Sequence, residues 1–168
     1  VQTCVFRSQL YKNDTSRIGN FNLLYDKASR LNVHAELVYR SEKRLTTSLL
    51  VDQFNYKLEA YAHAWYRPNT VITLRADYNL RDKIVVNAAL FGIGQRYAMV
   101  EENIGGITNQ RTEKLKPYLD ANLGVEYRYS KILSAYVTLN NLGFAKYQQW
   151  FGYPMERLNA MAGLTYSF

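Results

Sequence analysis

From Arg157 to Phe168 the chain alternates with a period of two. Leu158, Ala160, Ala162, Leu164, Tyr166 and Phe168 fall on one side and Arg157, Asn159, Gly163, Thr165 and Ser167 on the other, with Met161 alone interrupting the polar set. Successive side chains of a strand point to opposite faces, so this strand meets two different solvents. Tyr118 to Tyr129 repeats the design, with Leu119, Ala121, Leu123, Val125, Tyr127 and Tyr129 opposing Asp120, Asn122, Gly124, Glu126 and Arg128. So do Leu133 to Asn140, Thr70 to Leu80 and Leu31 to Arg40. Weaker strands are expected over Ile18 to Tyr25, over Leu45 to Tyr56 with a phase slip near Asp52 to Phe54, and over Ile84 to Tyr97 with a bend or bulge at Gly92 and Gly94. Val1 to Tyr11 is a further candidate. The reading is all-β and antiparallel, with eight or nine strands.

Hydrophobic residues make up 48% of the 168, yet no run approaches the roughly 18 apolar residues of a membrane-spanning helix. The 15 tyrosines favour strands with interfaces to coat. Connection lengths then supply a topology, because outer-membrane barrels have short periplasmic turns and longer extracellular loops. With Phe168 at the periplasm, parity puts the tight turns at Arg40 to Arg44, Leu80 to Lys83 and Ser130 to Ile132 on the periplasmic side. The longer segments Lys57 to Pro68, Ala98 to Pro117 and Phe144 to Glu156 fall outside. Only the short Asp26 to Arg30 connection departs from the rule. The turns begin with an aromatic and end with a basic then an aliphatic residue, as in Tyr78-Asn-Leu-Arg-Asp-Lys-Ile84, which suits a lipid boundary. The expected domain is one transmembrane barrel segment, 1–168, in the cell outer membrane. Dispersed cations giving a net charge of +7 point to anionic lipid, including lipopolysaccharide, and not to nucleic acid.

The ending Leu164-Thr-Tyr-Ser-Phe168 resembles the terminal signature of outer-membrane proteins. The resemblance implies that Leu164, Tyr166 and Phe168 are read by the barrel-assembly machinery. The stretch from about Leu31 to Phe168 resembles the last strands of TonB-dependent receptors and related large barrels of Gram-negative bacteria. It does so through Ala64-Trp-Tyr-Arg-Pro68, Tyr78-Asn-Leu-Arg-Asp-Lys83, Leu123-Gly-Val-Glu-Tyr-Arg-Tyr129, Leu139-Asn-Asn-Leu142 and Trp150-Phe-Gly-Tyr-Pro154. Neither a plug domain nor an energy-coupling box is present in these residues. The resemblance therefore implies part of a larger barrel for active uptake of a nutrient, with the TonB system and an extracellular lipoprotein or solute as partners. A self-contained eight-stranded barrel with a structural, adhesive or lipid-interacting role stays open, as does a soluble ligand-binding barrel.

No catalytic, metal or cofactor constellation stands out, and a non-enzymatic protein without cofactors is expected. His34 and Glu36 share a polar face without a second histidine in suitable spacing, and Cys4 reads as a small strand hydrophobe. Arg75, Asp77, Asp120, Glu126 and Arg128 lie on polar faces, where they would form a hydrated lumen network. Tyr147, Trp150 and Tyr153 cluster in the last long loop and are candidates for contact with an extracellular ligand. Gly105-Gly106 signals only flexibility in the largest loop.

Overall fold

The computed structural model describes residues 2–10, 20–41, 44–104 and 107–167. Every regular element among them is a strand: β1 (Gln2–Leu10), β2 (Asn20–Ser41), β3 (Leu45–Leu58), β4 (Thr70–Leu80), β5 (Ile84–Ile93), β6 (Arg96–Ile104), β7 (Ile107–Leu115), β8 (Tyr118–Arg128), β9 (Leu133–Asn140), β10 (Gln148–Trp150), β11 (Tyr153–Pro154) and β12 (Asn159–Tyr166). Ten of them form a sheet in the order β12-β9-β8-β5-β4-β3-β2-β1-β6-β7, and β10 and β11 make a small separate ribbon. Pairing is antiparallel except where residues 8–10 of β1 run parallel to residues 100–102 of β6.

Seven strands, β2, β3, β4, β5, β8, β9 and β12, share one register from end to end, and it sorts the alternating side chains into rows. Ala162, Val137, Val125, Val86, Tyr78 and Leu45 form one row. Leu119, Gly92, Ile72, Val51 and Ala35 form another, on the same face. The opposite face carries Thr138, Gly124, Asn87, Asp77, Thr46 and Arg40 in one row. The apolar face is uncovered, with Leu37 69%, Leu119 61% and Leu164 76% exposed. A water-soluble domain rarely shows so large a continuous apolar patch. The buried cluster lies elsewhere, at the loop end, where Trp65, Tyr66, Ala98, Met99 and Leu115 pack with Trp150 and Phe151 against them.

Several sequence expectations are corrected. Ile18 to Tyr25 and Leu31 to Arg40 are not two strands joined at Asp26 to Arg30, because residues 20–41 form one strand, pairing first with β1 and then with β3. The turn-like Asp26 is instead buried, accepting hydrogen bonds from the Ala60 amide at 3.1 and 3.2 Å and the Tyr61 amide at 3.2 Å. Residues Asp52 to Phe54 show no slip: Asp52 faces His34 and Gln53 faces Val33 in unbroken register. Phe54 and Tyr56 sit on the polar face, stacked at 6.0 Å with Arg30 over Phe54, which blurred the periodicity. The Ala98 to Pro117 segment is largely the hairpin β6–β7, not a loop, and the strand expected over Ile84 to Tyr97 is two, interrupted around Gly94 between Ile93 and Arg96, while Gly92 keeps unbroken register with Ile72 and Leu119 and makes no bulge. Gly105-Gly106 and Phe168 lie outside the described residues.

At the turn end, Arg81 and Asp82 both adopt positive φ, 52° and 58°, and the Lys83 amide donates to the Leu80 carbonyl at 3.1 Å. This is the primed turn whose twist suits a hairpin, though neither residue is glycine. Asn79 compensates, accepting from the Asp82 amide at 2.9 Å and donating to its carboxylate at 2.7 Å. On the polar face, a Cβ at Gly163 would stand 2.5 Å from the Tyr136 hydroxyl, so the missing side chain makes room for that ring across the β9–β12 pair.

Candidate functional site

The loop after β9 is held by one residue. Asn141 is buried with φ 53°, a conformation that asparagine tolerates better than most side chains. Its amide nitrogen donates to the Ala145 carbonyl at 3.1 Å and the Glu156 carbonyl at 3.0 Å, while its side-chain oxygen accepts from the Ala145 amide at 3.0 Å. Its own backbone amide donates to Asn122 Oδ1 at 3.0 Å. Both ends of the loop are thereby fastened to β8, and the loop's aromatic residues are brought onto the sheet's polar side.

There Tyr147 stacks on Tyr118, with centroids 3.8 Å apart and planes within 2°, and its hydroxyl donates to Asp120 Oδ2 at 2.9 Å. Burial, and then the bond to the Asp120 carboxylate, push the Tyr147 phenol well above the ordinary tyrosine range. Arg96, at the start of β6, is 3% exposed and places its guanidinium 5.1 Å from the centre of the Tyr118 ring. It donates to the Gln148 carbonyl at 2.8 Å and the Gln149 carbonyl at 3.1 Å. Burial lowers its pKa, with Tyr118 and Tyr147 acting the other way. With no carboxylate at contact distance among the described residues, this buried cation is held by carbonyl dipoles and ring faces. Arg96 Nε, Trp65 Nε1 and Asp120 Oδ1 are buried without hydrogen-bond partners. Trp65, Tyr66, Arg96, Tyr118 and Trp150 line a cavity of about 370 Å³ beside Ile93, whose row lies on the polar face.

Of the loop candidates, Tyr147 and Trp150 thus join this cluster, Trp150 tilting onto Tyr66 at 4.8 Å, while Tyr153 stays 40% exposed in the small ribbon. The lumen candidates fall into three groups. Arg75 and Asp77 line a cavity of about 280 Å³ with Asn87 and Asn122, and Asp77 accepts from Asn87 at 2.6 Å. Arg128 donates to Glu126 at 3.1 Å, and Asp120 is engaged by Tyr147. His34 Nδ1 lies 2.8 Å from Asp52 Oδ1. Leu164 and Tyr166 stand exposed on the apolar face. Arg96 and Tyr118 carried no sequence signal of their own; the aromatic run Ala64-Trp-Tyr-Arg-Pro68 was the nearest pointer.

No protein-family model matches the chain, and no curated protein matches it in sequence. Solved structures do match. The pyoverdine receptor FpvA of Pseudomonas aeruginosa, bound to pyoverdine, superposes with a TM-score of 0.71 at 14% identity over 99% of this chain and 26% of its own. The ferric-catecholate import receptor Fiu of E. coli K12 gives 0.67 at 16% identity, over 99% of this chain and 24% of its own. The siderophore receptor PirA of Acinetobacter baumannii gives 0.69 at 16% identity, over 99% and 26%. The chain therefore spans about a quarter of the length of these receptors, which are outer-membrane proteins of Gram-negative bacteria. Its all-β sheet has the fold of part of the barrel of TonB-dependent siderophore receptors.

Proposed function

We propose that the chain forms part of an outer-membrane receptor barrel for energy-coupled uptake of a scarce nutrient, of the iron–siderophore class. The observation that carries this reading is the pairing of one uncovered apolar face over seven strands with an aromatic and arginine cluster on the polar face at the loop end. The first needs lipid around it. The second offers stacking surfaces and a buried cation, which suit the planar rings and negative charge of a ferric chelate. Tyr147, Trp150 and Tyr153 would stand at its extracellular mouth, and Arg75, Asp77, Asp120, Glu126 and Arg128 would keep the lumen wet.

Strand direction favours a larger barrel over a self-contained small one. β2 and β12 both run toward the turn end, so joining them directly would make a parallel seam in an antiparallel wall. All-antiparallel closure needs an odd number of further strands, and β1, antiparallel to β2 but beside its residues 20–27 only, does not run along the apolar rows. The test is uptake in the bacterium that encodes the protein, grown under iron limitation. Disruption of the gene should abolish accumulation of at least one labelled ferric siderophore, and dissipating the proton-motive force should do the same. Unchanged uptake of every ferric siderophore class offered would overturn the reading.

A further inference from the structure

The polar face carries a second cluster of rings and guanidinium groups, on β2 and β3, away from the cavity beside Arg96. Phe54 and Tyr56 stack with their centroids 6.0 Å apart and their planes at 25°, and Arg30 lies over the Phe54 ring at 5.7 Å from its centre. Burial raises the pKa of Tyr56, which stands beyond the apolar rows, while the charges of Arg67 and Arg30 act the other way, so both guanidinium groups bear on this ring. Neither arginine has a carboxylate at ion-pair distance among the described residues. Asp52, the one acidic residue of β3, is already engaged by His34 at 2.8 Å and by Asn32 at 3.3 Å. Both arginines are exposed and the two rings half-buried, so a planar anion arriving from the polar side would find a surface to stack on and positive charge to meet.

Arg67 joins this cluster to the first cavity, because it also lines that space of about 370 Å³ with Trp65, Tyr66 and Arg96. The turn that presents it is strained: Tyr66 takes φ 60°, uncommon for an aromatic residue, and the Arg67 amide closes the turn on the Ala64 carbonyl at 3.1 Å. Strain of this kind collects where side chains are held for a ligand. No acidic side chain lines the cavity. Ile93 and Val71 pave the floor between the two clusters, in a row of the polar face that runs from Tyr118 to Asp52, and Phe54 stands one row nearer the loop end. β8 and β3 lie three strand spacings apart, so the clusters are separated by about 14 Å.

We propose that the nutrient is an elongated chelate, whose metal-bearing head occupies the Arg96 cavity and whose acidic, ring-bearing tail passes over Ile93 and Val71 to stack on Phe54 and Tyr56, its carboxylate meeting Arg30 and Arg67. This rests on the uptake reading and adds to it what the chelate carries. A compact chelate would fill the first cavity and leave the second cluster empty.

The full-length protein, purified in mild detergent, would be titrated with a ferric tris-catecholate and a ferric tris-hydroxamate, each in three forms: bare, joined to a benzoate by a flexible linker of about 15 Å, and joined to a benzamide by the same linker. Binding is read by quenching of tryptophan fluorescence, since Trp65 and Trp150 border the head cavity. With whichever head binds, the benzoate form should bind about tenfold more tightly than the bare form, with the benzamide form between them. Arg30→Gln, and Phe54→Leu, which keeps apolar bulk and removes the ring, should each weaken the benzoate form about fivefold and leave the bare form unchanged. Arg96→Gln should weaken all three forms. Equal affinity for the bare and benzoate forms, or a benzoate gain that survives both R30Q and F54L, overturns the proposal while the uptake reading stands. Failure of the wild type to bind either head in any form, with its heat-dependent mobility on gels reporting an intact barrel, overturns both.

Discussion

Tyr147 joins the last loop to the wall of the sheet through two contacts of different kind, a stacked ring and a hydrogen bond to a carboxylate whose other oxygen is already without a partner. Tyr147→Phe keeps the ring and removes the bond. Leaving a shielded carboxylate oxygen bare costs about 1–3 kcal/mol, so amide exchange over residues 141–147 should accelerate while the rest of the sheet is unchanged. An unchanged exchange pattern would mean the stack alone holds the loop. The raised pKa of Tyr147 gives the wild type a further signature. Because the folded state holds this proton more tightly than the unfolded chain does, its contribution is complete below the ordinary tyrosine pKa of about 10 and is lost as pH rises from there toward the folded value. Loop attachment should therefore be flat across neutral pH and weaken in alkali, and the phenylalanine variant should lack that alkaline step. The sequence pointed to Tyr147 and Trp150 because aromatics in a loop stand out. It could not point to Arg96, whose partners are carbonyls more than 50 residues away and a ring on another strand.

Strands were legible where their two faces meet different surroundings, and illegible where they do not. β4, β8, β9 and β12 alternate cleanly and lie close to where the pattern puts them. The hairpin β6–β7 projects beyond the apolar rows, and stretches such as Thr108-Asn-Gln-Arg-Thr112 are polar on both sides, so no period of two marks them. β2 passes from one regime to the other, and its Asp-Lys-Ala-Ser segment reads as a turn because the sequence does not show that Asp26 is engaged by the amides of Ala60 and Tyr61. The same contrast between faces predicts the cost of a charge. Leu123, in register with Ala88 and Leu139 on the apolar face, should lose about 2–4 kcal/mol when changed to arginine. Thr138→Arg, one position along β9 and pointing into the polar cavity with Asn87 and Gly124, should cost distinctly less. Urea unfolding of the full-length protein in lipid vesicles measures both. Equal losses, or the reverse order, would exchange the inner and outer faces.

At the scale of the molecule the deciding quantity is the state of the sheet's edges. Among the described residues β12 pairs with β9 alone, and residues 29–41 of β2 pair with β3 alone, because β1 accompanies β2 only over residues 20–27. Each edge offers a row of backbone donors and acceptors which hydrocarbon cannot satisfy. Curling the seven strands into a ring would satisfy these groups only through a parallel seam, since β2 and β12 would meet pointing the same way, and the single-chain barrels of bacterial outer membranes are antiparallel throughout. These residues expressed by themselves and transferred from denaturant into detergent should therefore give no compact band that shifts on heating, whereas the full-length protein should give one. A monomeric, heat-shifting band from the 168-residue chain alone would show that it closes on itself, and would return the argument to a small barrel whose lumen is filled by its own side chains.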